Sequence, residues 1–174
     1  MFLVEAVAGW LGDSSGLLAD SLDMLADASV YGIALYAVGR NTSVKRYTAR
    51  ASGWIQISLG LGVLIDAVRR FILGSEPIST LMMSIGFAAL TANVTCLLIL
   101  SRHRKGGVHM RASWIFSTND VLANCGVILS GALVWYFGHR SPDLIVGTIV
   151  CVLVVHGGLR ILEESKPGPE SQLA

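Results

Sequence analysis

The chain has 174 residues, of which 53% are hydrophobic and 14% charged, and its mean hydropathy is +0.63. Soluble domains carry about a quarter charged residues, so this composition excludes an ordinary soluble domain. The formal net charge of +1 also argues against a nucleic-acid partner, because such a partner requires a basic surface. The length suits one domain.

The first ten residues are apolar apart from Glu5, but they are only about half of the length that a membrane-spanning helix requires. No basic segment or cleavage site marks them as a signal peptide. We therefore expect residues 1–12 to be the end of a first span whose beginning is missing, through a late start or because the chain is a fragment.

Residues 16–39 form an apolar run that is long enough to cross a bilayer, and this run contains three aspartates. Asp20, Asp23 and Asp27 lie at i, i+3 and i+7, which places their side chains on one face of a helix. An ionised carboxylate in hydrocarbon costs at least ~2.5 kcal/mol, so three in one span indicate a function. The leading explanation is a bound cation. A solvated polar face is the alternative for Asp23 and Asp27, and Asp20 could equally orient a ligand without contacting the cation.

Four further apolar runs follow, at residues 51–73, 78–101, 112–137 and 144–162. With the incomplete first span they predict an all-α membrane helix bundle of six spans over residues 1–164, followed by a short polar tail over 165–174.

Ten of the thirteen basic residues lie near residues 40–50, near 102–111 and at the C-terminal end. By the positive-inside rule these loops and the C-terminus are expected to be cytoplasmic, in a cell membrane or a bacterial inner membrane. Asp66 precedes Arg69 and Arg70 by three and four residues and is expected to form local ion pairs.

A second polar cluster lies in the run at residues 112–137. Asp120 and Asn124 are spaced i, i+4 on one helical face, and Asn119 lies about 100° away around the helix. If this face meets the aspartate face, Asp23, Asp27 and Asp120 are expected to surround one divalent cation, with Asn119 or Asn124 as a fourth oxygen ligand. The alternative for the two asparagines is a hydrogen bond that holds helices together.

These residues resemble the cation diffusion facilitators. The second helix of that family has a pattern like Gly-Ser-x-x-Leu-Leu-Ala-Asp-x-x-(His or Asp)-x-x-x-Asp, and residues 15–27 match it closely. The end of the family's first helix, Phe-x-x-Glu-x-x-x-Gly, resembles Phe2, Glu5 and Gly9. Its fifth helix carries His-x-x-x-Asp, often followed by Asn, which Asp120 and Asn124 match in part. The resemblance covers about residues 1–164.

The resemblance implies a metal transporter and not an enzyme: a protein that exports a divalent cation from the cytoplasm by proton antiport, usually as a homodimer. Zinc is the first expectation from the family, with cadmium, cobalt and manganese as further candidates. The metal is then a transported substrate, and no cofactor is expected. Proton coupling is expected from the same aspartates, because a cation that binds carboxylates releases their protons.

The chain departs from the family pattern in two ways. Phe116 occupies the position of the fifth-helix histidine, and the family's usual cytoplasmic metal-binding domain does not follow the last span. Without that histidine the site is rich in oxygen, and oxygen ligands favour harder ions such as manganese or magnesium. His156 in the last span is the best substitute for the imidazole, although a lone histidine there is more often a packing residue.

Two other functions stay open. The first is a truncated, non-transporting remnant or regulatory partner of a complete transporter, which the departures above favour. The second is a drug–proton antiporter, which would also use buried carboxylates in the membrane. That function predicts an aromatic-lined cavity, whereas Trp54, Trp114 and Trp135 are expected at the membrane interfaces, away from the aspartates.

Overall fold

The computed structural model describes the backbone of residues 1–37, 39, 41–103 and 108–165. Within these ranges the side chains of residues 34, 35, 37, 42, 45, 100–103, 108–117 and 164 are outside the described set. The Phe116 side chain and most of the predicted tail, residues 166–174, therefore lie outside the described residues.

The described residues form six helices and no strand, which confirms the all-α prediction. In chain order these helices are α1 (Phe2–Leu11), α2 (Ser15–Ala37), α3 (Thr42–Leu73), α4 (Ser79–His103), α5 (Val108–Phe137) and α6 (Ser141–Glu164). Four of them contain stretches long and apolar enough to cross a membrane: Arg46–Leu73, Ser79–Ile99, Thr118–Phe137 and Ser141–Glu163. At 23 residues, α2 is at least as long as three of these stretches but carries the three aspartates, and α1 has ten residues.

Helices α3 and α5 begin nine and four residues earlier than their apolar runs. An apolar run marks only the part of a helix that crosses hydrocarbon, whereas the helix continues through the basic residues beyond it. The start of α3 is set by a side-chain cap, since the Asn41 Oδ1 accepts a hydrogen bond of 3.0 Å from the Val44 backbone N–H.

Helix α2 lies at the centre of the bundle, in contact with α1, α3, α5 and α6. It contributes to two separate apolar clusters. Ala19 and Ala26 pack with buried residues of α3 and α6, such as Val63 and Val154, while Leu17 packs with buried residues of α1, α4 and α5. The helix that carries the aspartates is thus enclosed by protein along much of its length.

The outer surface of the bundle is apolar. Large side chains such as Trp10, Phe71, Phe87, Trp135 and Leu153 are between 64% and 73% exposed. An exposed apolar surface of this extent is unfavourable in water and fits a lipid environment. With the four apolar stretches, it supports a multi-pass membrane protein.

Candidate cation site

The N-terminus of α2 is held by a side chain from α6. Asp143 accepts hydrogen bonds from the Ser14 hydroxyl at 2.6 Å, the Ser15 N–H at 2.6 Å and the Gly16 N–H at 2.9 Å. The first N–H groups of a helix have no partner within the helix and attract negative charge, so a carboxylate there is favourable. Asp143 therefore fixes the position of α2 and, with it, the direction in which the aspartate face points.

A close approach of α6 to α2 makes this contact possible. A side chain at Gly147 would place its Cβ 2.8 Å from the backbone of Ser15, so only glycine allows the two helices to lie this close. The role of Asp143 was missed by sequence reasoning. From the sequence, an aspartate in the first turn of α6 is expected to stabilise the N-terminus of α6 itself. Only the packing shows that it binds the N-terminus of α2 instead.

An ion-pair network lies at the same end of the bundle. The predicted local pairs of Asp66 are confirmed, with Arg69 Nη2 at 3.0 Å and Arg70 Nε at 2.5 Å. Arg70 also binds Asp13, in the turn between α1 and α2, and only 3% of the Arg70 side chain is exposed. The Asp13 contact was missed because the two residues are 57 positions apart. We refer to Asp13, Asp66, Arg70 and Asp143 as the turn-end network.

A cavity of about 500 Å³ lies beside the aspartate face of α2. Its polar lining comes from four helices, and the rest of its lining is apolar and belongs to α5 and α6. The polar lining residues are Asp23 and Asp27 of α2, Gln56 of α3, Asn119 of α5, and His156 and Arg160 of α6. We refer to this space as the Asp23–Asp27 cavity.

A second set of carboxyl groups comprises Glu5, Asp20 and Asp120, and we refer to these three residues as the buried acidic group. The Glu5 and Asp20 side chains are wholly buried, and neither of the two oxygens of each has a hydrogen-bond partner among the described residues. Asp120 is partly buried, and its Oδ1 also has no hydrogen-bond partner among the described residues. Asp120 interacts electrostatically with both Glu5 and Asp20. Three acidic side chains from α1, α2 and α5 are therefore close enough to repel one another when ionised.

The structure places the predicted ligands in two groups. Asp23, Asp27 and Asn119 line the Asp23–Asp27 cavity, and Asp20 and Asp120 belong to the buried acidic group. Asn124 is wholly buried, and its Nδ2 donates a 2.7 Å hydrogen bond to the Asp120 carbonyl oxygen. The predicted set of ligands stays a prediction.

The electrostatic contact between these groups is direct, because Asp120 interacts with Asp23 and Asp27. Among the residues with described side chains, however, no three His, Cys, Asp or Glu groups are spaced to hold one metal ion. In this conformation Asp23, Asp27 and Asp120 are thus near neighbours that do not close around a single point.

Sequence reasoning underestimated two residues. Glu5 was noted as a polar interruption of an apolar segment and as part of the first-helix resemblance, but it was not included among the predicted ligands. His156 was judged a packing residue on general grounds, whereas its side chain is exposed and lines the Asp23–Asp27 cavity. A histidine in a span is informative once the neighbouring helix is known to carry carboxylates.

An all-helical bundle with an apolar exterior and buried acidic side chains defines a multi-pass membrane protein with carboxyl groups in its interior. Residues 1–167 match the family model of the cation efflux transmembrane domain, and the chain belongs to this family of transporters. The resemblance drawn from the helix motifs is thereby confirmed.

Three relatives illustrate the match. The chain is 32% identical to the zinc transporter ZitB of Yersinia pseudotuberculosis serotype I over 179 residues, which cover 95% of the chain and 57% of that protein. It is 27% identical to the zinc transporter ZitB of Escherichia coli (strain K12), over 94% of the chain and 56% of the relative. It is 26% identical to the cadmium, cobalt and zinc/H(+)-K(+) antiporter of Bacillus subtilis (strain 168), over 94% of the chain and 57% of the relative. The chain thus spans little more than half the length of these relatives.

Proposed function

We propose that this protein moves a divalent metal cation across a membrane through the Asp23–Asp27 cavity, in exchange for protons. The observation that carries the proposal is the pair Asp23 and Asp27, two carboxylates on one wall of a cavity inside a membrane bundle. Two carboxylates balance the charge of one divalent ion, and the apolar remainder of the lining limits competition from water.

Zinc is the first candidate for the metal, because two of the relatives described above are named as zinc transporters. The names of the antiporters from Bacillus support cadmium and cobalt as further candidates. The carboxylate and amide oxygens of the cavity also suit manganese, while the His156 imidazole suits zinc.

Proton exchange follows from charge balance within the membrane. When the cation leaves, two unpaired carboxylates in a poorly solvated cavity would carry a large energetic cost. One proton on each carboxyl group removes that cost, and the next divalent cation displaces both protons. The direction we propose is export from the cytoplasm, with the C-terminus on the cytoplasmic side and the transporter working as a homodimer.

The test is metal uptake into everted membrane vesicles with an imposed proton gradient, for zinc, cadmium, cobalt and manganese. We expect gradient-driven uptake of at least one metal by the wild-type chain and none by Asp27→Ala. A control variant is Arg69→Met, which removes a charge from an exposed side chain outside the cavity and should transport normally. If folded, inserted wild-type protein takes up none of the four metals, the transport proposal fails and the role of a regulatory partner becomes the better explanation.

A further inference from the structure

Gln56 is a polar residue in the wall of the Asp23–Asp27 cavity that no motif singles out. Its side chain is 6% exposed, and it projects from α3 toward the same space as Asp23 and Asp27. Its Oε1 has no hydrogen-bond partner among the described residues. A buried acceptor left without a partner costs about 1–3 kcal/mol, so an apolar residue of similar size would pack here more favourably.

Ser52, one turn before Gln56 on α3, shows the contrast. Ser52 is also buried, at 3% exposure, but its hydroxyl donates a 3.1 Å hydrogen bond to the Thr48 carbonyl oxygen of its own helix. The hydroxyl is thus satisfied locally and needs nothing from the cavity. The longer side chain of Gln56 reaches the cavity lining, and its buried carbonyl oxygen has no hydrogen-bond partner among the described residues.

Gly157 of α6 provides the room for this amide. A Cβ built at Gly157 would lie 2.9 Å from the Gln56 Nε2 but 3.9 Å from Oε1. The amide nitrogen is therefore the end that lies against α6, and the oxygen is the end that lies farther from it. A Cβ at position 157 would make the end of the flexible Gln56 side chain shift, so the glycine leaves room for the amide in its present position.

We propose that the Gln56 Oε1 is a direct oxygen ligand of the transported cation and sets its selectivity together with Asp23 and Asp27. The inference rests on the function proposed above. Two carboxylates already balance a divalent charge, and a neutral carbonyl oxygen adds a ligand without adding charge. Carboxylate and carbonyl oxygens suit manganese, whereas zinc depends more on nitrogen and sulfur ligands. Gln56 is thus expected to favour manganese relative to zinc.

The experiment measures Mn²⁺ and Zn²⁺ affinity for the purified full-length chain in lipid nanodiscs, by competition with a fluorescent chelator. The variants are Gln56→Leu, Gln56→Glu and Ser52→Ala. Gln56→Leu keeps the volume but removes the oxygen, and we expect Mn²⁺ affinity to fall about 10-fold or more, a loss typical for groups that support a metal, with a smaller effect on Zn²⁺. Gln56→Glu keeps an oxygen and adds a negative charge, so it should bind both ions more tightly than the wild type does. Ser52→Ala should leave both affinities unchanged.

The outcomes separate this inference from the proposed function. Equal losses of both metals in Gln56→Leu, or unchanged affinities in Gln56→Leu and Gln56→Glu, would overturn the ligand role while Asp27→Ala still abolishes binding. If Gln56→Leu does not fold, unchanged affinities in Gln56→Glu alone overturn it. A wild-type chain that binds neither metal, or an Asp27→Ala variant that binds both normally, would instead overturn the function on which the inference depends.

Discussion

Buried polar groups are treated in opposite ways in two regions of this protein. In the turn-end network, Asp143 accepts three hydrogen bonds, and the buried Arg70 pairs with two carboxylates. In the buried acidic group, Glu5 and Asp20 are wholly enclosed, yet their carboxyl oxygens have no partner among the described residues. Buried polar groups in folded proteins are nearly always satisfied, so each exception calls for an explanation.

This contrast assigns the turn-end network a structural role and the buried acidic group a functional one. A network that is complete within the protein stabilises the fold and has no need of a ligand. A group that is incomplete is tolerated only when a proton or a cation occupies it, and this is the property that a transporter requires. Helix α2 belongs to both regions, since Asp143 holds its N-terminus and its middle carries the aspartates.

The largest expected effect belongs to Asp27→Asn, in the Asp23–Asp27 cavity beside the buried acidic group. This substitution keeps the shape of the side chain and removes its charge. Loss of a group that merely supports a metal ligand costs about 10–100-fold, so loss of a ligand should lower metal uptake by about 100-fold or more. Stability should be unchanged or improved, because an amide is cheaper to bury than an unpaired carboxylate. Vesicle uptake and the Tm of the purified protein measure the two effects. A variant with normal uptake would show that Asp27 does not contact the cation.

Arg70→Met should have the opposite profile, a large effect on stability. Removing one partner of a fully buried ion pair costs about 3–5 kcal/mol. Here Asp13 and Asp66 are 42% and 27% exposed and regain water, so we expect about 2 kcal/mol.

The matched control for that substitution is Arg69→Met. Arg69 also pairs with Asp66, but 60% of its side chain is exposed, so its loss should cost less than about 1 kcal/mol. Denaturant unfolding of both variants checks the difference. If both variants lose the same free energy of unfolding, the burial of Arg70 does not strengthen its ion pairs in the turn-end network.

Asp143→Asn is expected to come next in size. One carboxylate oxygen now accepts from Ser15 and the other from Ser14 and Gly16, and an amide can offer only one acceptor oxygen. A backbone N–H is then left facing an NH₂ group, at a cost of about 1–3 kcal/mol. The same unfolding experiment measures it, with Asp66→Asn as a more exposed comparison. A neutral result would show that α2 is positioned by packing alone.

The helices and the aspartate face could be predicted because they depend on local periodicity. Apolar runs of about 20 residues identify spans, and the i, i+3 and i+7 spacing of Asp20, Asp23 and Asp27 identifies a face. The pairs of Asp66 with Arg69 and Arg70 could be predicted for the same reason. Each of these features is fixed by residues of a single helix.

The features that could not be predicted depend on how distant helices pack. Asp13 with Arg70, and Asp143 with the start of α2, join residues 57 and more than 120 positions apart. The place of Gln56 in the cavity depends on the approach of α6 through Gly157. A single sequence contains the side chains for such contacts but not the helix arrangement that brings them together.

The smallest expected effect belongs to Glu5→Gln, which changes the member of the buried acidic group that lies on α1. Glu5 has no hydrogen-bond partner among the described residues. Its burial disfavours the ionised form and Asp120 adds repulsion, while the N-terminal ammonium attracts it. Replacing the carboxyl group with a neutral amide of the same shape should therefore leave the Tm unchanged or raise it by a few degrees. A thermal melt in detergent, with Glu76→Gln on the exposed turn as the control, measures the shift. A clear fall in Tm would mean that the Glu5 carboxyl makes a stabilising contact, and the distinction between a complete and an incomplete region would then fail at this residue.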